Sequence, residues 1–302
     1  MRNILMNIKS FAIYGIGKFI PDHLYVNLCY YKKFHMMPKL KNPKTFNEKL
    51  TWMKLYDRNP QYTQMVDKYA AKGYVEKILG GGYTIPTFKV WDSPDDISVE
   101  ELPDKFVLKC THDCGSIVIC RDKSKFDLEA AKENLKKHYN RNYFWMGREW
   151  PYRNVKPRII AEEYMEDAEE SQAGLTDYKF YCFNGIPKYL YVSAGLVNHS
   201  TARISFLTLD WQFAPFGRSD YKPFEELPKK PVNLSLMIEI AEKLSKDFPF
   251  LRVDLYEIKG RVYFSELTLF PCSAMMPFTP KEWDERLGLE LELPHIGSND
   301  KQ

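Results

Sequence analysis

Apolar and polar positions alternate most clearly in Phe250-Leu-Arg-Val-Asp-Leu-Tyr256 and Val262-Tyr-Phe-Ser-Glu-Leu-Thr268. Period-two alternation predicts a β-hairpin, with Arg252 and Asp254 on one strand and Glu266 and Thr268 on the other. The turn decides whether the two pairs share a face. A three-residue loop, Ile258-Lys259-Gly260, pairs Glu257 with Arg261 and puts all four residues on one side. A two-residue loop, Lys259-Gly260, puts the pairs on opposite sides. Two further hairpins are readable. Residues 106–110 and 116–120 flank the polar loop Thr111-His-Asp-Cys-Gly115, and 177–183 and 186–192 flank Asn184-Gly185, a strong turn signal. Single strands are predicted at 85–91, 158–165 and 203–209. Helical periodicity marks 67–79, stopped by three glycines, and also 125–139, 234–248 and 280–289. Thr45 with Glu48 three residues on forms a capping box for a helix reaching Tyr56.

At 302 residues the chain makes one large domain or two smaller ones, and a net charge of +3 selects no partner. The distribution is uneven. Residues 1–54 carry ten Lys/Arg against Asp22 and Glu48, so a basic, aromatic arm precedes a mildly acidic body. Such an arm suits an anionic surface or its own acidic body equally well. Six scattered cysteines suit reduced thiols in a cytosolic protein. The start lacks a signal-peptide pattern. The apolar run 11–17 is bracketed by Lys9 and Lys18 and is too short to span a bilayer, though not to rest on one.

The chemistry concentrates in the 250–268 hairpin. Carboxylates and a guanidinium on one sheet face are costly to bury without compensation. A hard cation on the carboxylates, with phosphate oxygens between it and the arginine, supplies it. Lys109 interrupts an apolar strand beside the small 111–116 loop, where a phosphate is its natural partner. Cys110, His112, Cys114 and Cys120 lack the spacing of a zinc site, and a Cys114–His112 nucleophile has no orienting third group. Arginines and aromatics interleave over 140–157, which suits stacking on a sugar or nucleotide or packing onto the body; no nucleic-acid-binding fold follows, and nucleic acid is not an expected partner.

Taken together, the pieces over 67–277 resemble the ATP-grasp fold. Asp67-Lys68 before Ile85-Pro86 resembles its first lysine. Lys109 with Thr111, Gly115 and Ser116 resembles its second lysine and phosphate loop. Glu162, Glu163, Tyr164 and Met165 resemble the adenine hinge, with Asp177 near the ribose and Lys179 on its face. Arg252-Val-Asp254 and Glu266-Leu-Thr268 resemble the Arg-x-Asp and Glu-x-Asn elements, with threonine where the asparagine usually stands. Asn42-Pro-Lys-Thr-Phe-Asn-Glu-Lys-Leu50 and Asp177-Tyr-Lys-Phe180 are similar to the TupA-like branch of teichuronopeptide and surface-polysaccharide biosynthesis.

The resemblance implies an α+β fold of two lobes with antiparallel sheets gripping ATP. It implies an arm over 1–66, an ATP-grasp domain over 67–292 and a tail over 293–302, with the small lobe at about 105–160 and the main lobe at 67–104 and 161–292. It implies ATP and Mg2+ as cofactors, the metal on Asp254, Glu266 and Thr268, and Lys109 and Arg252 as catalytic residues. The activity implied is carboxylate–amine ligation through an acyl phosphate, joining an amino acid to a sugar acid of a capsule or other cell-envelope polymer. The setting implied is the cytoplasm or the inner face of the membrane. A glycosyltransferase acting on a nucleotide sugar, and a polysaccharide-binding scaffold, are the competing readings.

Overall fold

The computed structural model describes residues 16–166, 175–194 and 202–294; the expected acidic loop beyond Glu166, the run at 11–15 and the end at 297–302 lie outside them. Along the chain come helices α1 (Asp22–Phe34), α2 (Phe46–Tyr56), α3 (Gln61–Val66) and α4 (Ala70–Leu79). Strands β1 (Thr87–Trp91), β2 (Phe106–Cys110) and β3 (Ile117–Cys120) follow, then α5 (Leu128–Tyr139) and β4 (Ile159–Glu163). Next are β5 (Asp177–Phe183), β6 (Ile186–Ala194), β7 (Arg203–Thr208), β8 (Gly217–Arg218) and α6 (Leu234–Ser245). The chain continues through β9 (Phe250–Ile258), β10 (Arg261–Thr268), β11 (Phe278–Thr279) and α7 (Trp283–Glu290).

Two antiparallel sheets organise the body. The smaller runs β1-β4-β2-β3 and the larger β10-β9-β5-β6-β7. Strand β1, expected with the main lobe, pairs with β4 in the smaller sheet, and β4 pairs with β2. Hydrogen-bond register, invisible in a strand's own pattern, decides this membership. Phe106, Leu108, Cys110, Cys120, Ile159 and Ala161 fill the smaller core, with Leu135 of α5 against them. Cys110 and Cys120 are therefore buried apolar residues of that core.

Helix α6 covers one face of the larger sheet with Met237, Ile240, Ala241 and Leu244, all buried. On the other face, Phe46 from the start of α2 packs against Tyr181, Phe183 and Phe250. That aromatic cluster closes one end of the face and leaves the charged positions of β5, β9 and β10 at the other. The capping box forms as read: Thr45 Oγ1 accepts from the Glu48 amide at 3.2 Å and Glu48 accepts from the Thr45 amide at 3.3 Å. The helix expected at 67–79 is broken at Asp67, whose carboxylate accepts the Tyr69 and Ala70 amides and so caps α4. Its buried face is Ala71, Tyr74 and Val75; Tyr69 and Ile78 are exposed.

The aromatic and basic 140–157 stretch docks the arm. Arg148, 1% exposed, lies 4.5 Å from the Tyr25 and Trp145 rings and 3.1 Å from Asp22. Burial of an arginine is tolerated here because rings and a carboxylate take over from water. Among the described residues no helix is long and apolar enough to cross a membrane.

Candidate active site

The β9–β10 turn is the two-residue Lys259-Gly260, both with positive φ (51° and 72°), and Ile258 pairs with Arg261. By itself this turn separates the two polar pairs. A bulge between Phe264 and Glu266 takes up Ser265 and shifts the register by one. Glu266 then lies opposite Asp254, and Thr268 opposite Arg252. The shared face expected from a three-residue loop is thus reached by a different device, which strand alternation does not reveal.

Pairing with β5 and β6 extends these residues into two rows across the sheet. One is Glu266, Asp254, Lys179, Tyr191; the other is Thr268, Arg252, Tyr181, Tyr189. Asp254 is wholly buried and accepts Arg252 Nε at 2.7 Å, Arg252 Nη2 at 2.6 Å and Lys179 Nζ at 2.8 Å. Burial alone raises a carboxyl pKa; the Arg252 and Lys179 charges outweigh it and hold Asp254 below its ordinary value. Lys179 reaches Asp177 at 3.1 Å as well. Burial pulls its ammonium down, but the Asp254 and Asp177 carboxylates more than reverse that. Asp177 is pushed up by burial, with Lys179 opposing.

The smaller sheet supplies a second charged cluster. Glu162, 3% exposed, is paired with both Lys109 and Lys72. Burial raises its carboxyl, and the two ammonium groups bring it below its ordinary value. Glu162 therefore places its side chain between two lysines, not at an adenine edge. Its neighbour Glu163 is exposed, Tyr164 accepts Arg121 Nε at 3.0 Å, and Met165 is half-buried. Lys72 was not singled out by sequence. The signal available was its position four residues after Lys68; its amine also reaches the Ile85 carbonyl at 2.6 Å and Thr87 Oγ1 at 2.5 Å.

The 111–116 loop is braced from within. Ser116 Oγ donates to Asp113 Oδ1 at 2.5 Å and accepts from the Cys110 amide at 3.0 Å. Asp113 Oδ2 meets His138 Nδ1 at 2.5 Å, and its carbonyl accepts Lys68 Nζ. The Thr111 and Ser116 hydroxyls are buried and face inward, whereas Cys114 and Gly115 are exposed. Of the two hydroxyls expected to meet phosphate, Ser116 Oγ braces the loop and Thr111 Oγ1 is buried without a hydrogen-bond partner. Gly115 takes φ +93°, and its missing Cβ would meet open space.

At the tip of this loop, Cys114 sits within the field of Glu266 on β10, as do Tyr143, Tyr152 and Glu149 of the 140–157 stretch. Glu149 was not foreseen. Burial pushes its carboxyl up to about 7, with Lys54 and Ser273 opposing and Glu266 adding to the rise. Lys54, also buried, is brought down to about 8 by desolvation, against the pull of Glu149 and Cys29. It donates to the Ser273 carbonyl at 2.9 Å.

The donor set fits a hard cation in part. Asp254 and Glu266 share a face, Thr268 Oγ1 beside them is buried without a hydrogen-bond partner, and so is Asp177 Oδ1. Hydroxyl and carboxylate oxygens are the donors magnesium takes. Among the described residues no group of three or more His, Cys, Asp or Glu forms a complete metal cage. An ion held here would take further oxygens from outside the protein, as Mg2+ does.

A family model described as TupA-like ATPgrasp matches residues 48–292. No curated protein matches the chain significantly. Among solved structures, D-alanine–D-alanine ligase from Helicobacter pylori aligns with TM-score 0.44 at 14% identity, covering 82% of this chain and 69% of that one. D-alanyl-alanine synthetase A from Vibrio cholerae gives 0.43 at 13% identity, over 80% and 62%. The ATP complex of D-alanine–D-alanine ligase from Bacillus anthracis gives 0.38 at 14% identity, over 68% and 55%. The chain thus spans from 55% to 69% of the length of these three proteins.

Proposed function

The chain belongs to the TupA-like ATP-grasp family, and from that premise we propose that it is an ATP-dependent, ADP-forming carboxylate–amine ligase. Its products are amides between an amino acid and a sugar acid destined for a surface polysaccharide. The observation that carries the reading is the cross-strand set Asp254, Glu266, Arg252 and Thr268, with Cys114 of the 111–116 loop in the field of Glu266.

A carboxylate is unreactive toward amines, so the acid must first be activated. The γ-phosphoryl group passes to the substrate carboxylate, giving ADP and an acyl phosphate; the amine then attacks the carbonyl, and phosphate leaves. Phosphoryl transfer needs positioning and charge neutralisation more than covalent help. Lys68, Lys109 and Arg252 offset phosphate charge, and Lys72 holds Glu162 when Lys109 turns to a phosphate. Asp254 and Glu266 would hold Mg2+, with Thr268 as a weaker donor, and the ion supplies charge neutralisation at the phosphates. The 111–116 loop, stiffened by Asp113, Ser116 and His138, covers the reacting groups and excludes water. Arg252, held by Asp254, faces the oxyanion of the tetrahedral intermediate. Residues 163–165 of the hinge take the adenine, with Glu162 kept by its lysines, and Asp177 takes the ribose.

The arm adds a location. Leu24, Leu28 and Tyr31 form an exposed stripe on α1, and Phe19 just before it is 88% exposed. With Lys18 nearby in the chain, this face suits peripheral contact with an anionic membrane on the cytoplasmic side.

The test is ADP release from Mg·ATP by the purified chain, with amino acids crossed against uronic acids and hydroxylamine added to trap acyl phosphate. Consumption of a sugar nucleotide with no ATP turnover would favour the glycosyltransferase reading. Absence of any nucleotide binding would leave the scaffold.

A further inference from the structure

Between α1 and the segment after β10 lies a cavity of about 370 Å3. Lys32 and Lys33 of α1, Asp220 beyond β8, and Cys272, Met275 and Pro277 line it. A second cavity of about 600 Å3 adjoins it, with Lys33 and Pro277 common to both. Pockets of a few hundred Å3 are the usual size for small-molecule sites, and this pair offers room for one or two sugar rings.

Three observations tie the smaller cavity to the catalytic face. Thr268, the end of β10, lies opposite Arg252, and Cys272 of the cavity wall follows four residues later, within the fields of Arg252, Arg218, Lys33 and Asp220. Tyr181, 1% exposed, has a hydroxyl without a hydrogen-bond partner and sits in the fields of Arg252, Arg218 and Cys272. Cys272, Ser273 and Ala274 all take positive φ (51°, 54° and 64°), a conformation L-residues avoid and one that gathers at ligand-binding segments. Lys54 and the Ser273 amide, which donates to the Phe270 carbonyl at 2.8 Å, hold this turn in place.

The charges select the ligand. Asp220 already receives Arg218 through two hydrogen bonds of 2.9 and 2.8 Å. The two α1 ammonium groups therefore leave the wall net positive, while Met275 and Pro277 give it an apolar side. An anion with hydroxyls and a C–H face matches this better than a free amino acid does.

We propose that this cavity seats the acid substrate, a carboxylated saccharide whose carboxylate faces Arg252 while Lys33 and Asp220 meet its hydroxyls. The arm then supplies one wall of the acceptor site. The proposal rests on the ligase reading for its direction toward Arg252.

The full chain is titrated with D-glucuronate and D-galacturonate by NMR and calorimetry, with D-glucose and L-glutamate as controls. Mg·ATP binding is read on the same sample by thermal shift. At least one uronate binds more tightly than both controls. The exposed-surface variants Lys33→Ala and Lys32→Ala/Lys33→Ala weaken it by about tenfold, as expected for losing a charge-assisted contact, and keep the wild-type response to Mg·ATP. Uronate affinity no better than that of glucose, glutamate binding as tightly, or variants with unchanged affinity each overturn the proposal. A wild-type chain that binds uronate but not Mg·ATP sinks the ligase reading instead.

Discussion

Asp254 has two tasks: it would hold the metal, and it balances Arg252 and Lys179 in the sheet. Removing its charge leaves two buried cations with too little compensation. Asp254→Asn is therefore expected to lose ADP formation and also about 3–5 kcal/mol of stability, measured by turnover and by denaturant unfolding. Glu266 is half-buried and carries no such structural load. Glu266→Gln should keep the wild-type unfolding midpoint and lose at least about a hundredfold in ADP release, because positioned charge neutralisation is what the reaction needs. Full activity in that variant would remove Glu266 from the metal. Lys109→Ala should raise the KM for ATP by about tenfold. Its fold should survive, since Lys72 continues to neutralise Glu162; an unchanged KM would count against the phosphate assignment. Glu149 makes stability depend on pH. Its folded pKa is raised by burial to about 7, with Lys54, Ser273 and Glu266 facing it and Tyr143 and Tyr152 close by. A raised acid pKa gives stability that is full below the ordinary carboxyl value and is lost as pH climbs through about 7. Lys54, lowered to about 8, acts in the opposite direction only above that value. The melting temperature should fall between pH 5 and pH 7, and Glu149→Gln should flatten that fall; an unchanged slope would show that Glu149 does not titrate there.

Turns and bulges control what the strands present. The β5–β6 turn, Asn184-Gly185, takes positive φ at both residues (49° and 80°), as the sequence pair leads one to expect. A Cβ on Gly185 would lie 2.7 Å from the Lys246 carbonyl oxygen, a backbone atom at the end of α6. Gly185→Ala should therefore cost more than the roughly 1 kcal/mol of a strained φ alone, seen as a lower melting temperature with unchanged KM for ATP. The β9–β10 hairpin shows where local reading stops. The two-residue Lys259-Gly260 turn forms in place of the three-residue loop, and the face it dictates is reversed by Ser265, a residue with no distinguishing character in the pattern. Loop 111–116 shows the same limit. The glycine and the nearby lysine were legible as a polar loop, but not that Ser116 Oγ turns inward to accept the Cys110 amide and donate to Asp113, or that Thr111 Oγ1 is buried without a partner.

At the scale of the molecule, the arm and the body form one packed unit over the described residues. Gly288 of α7 sits where a Cβ would lie 2.0 Å from the Lys44 carbonyl oxygen, so the capping box of α2 is pressed against the last helix. Arg148 fixes α1 from the other side. The basic excess of the arm was visible in composition; that its lysines line a cavity near Arg252 was not, because residues 33 and 272 meet only through the folded chain. The same separation hid Glu149 beside Lys54, and Lys72 beside Glu162. The sequence by itself determined the elements. Period-two alternation marked the strands of both sheets, the Thr45–Glu48 box opened α2, and the order of lysines, hinge, Arg-x-Asp and Glu-x-Thr resembled one family, since each rests on neighbours a few residues apart. Tertiary structure decided which strands share a sheet, which faces the charges occupy and which carboxylates stay ionised. Those depend on hydrogen-bond register, on a one-residue bulge and on burial beside distant charges, and none of the three is a local property of the chain.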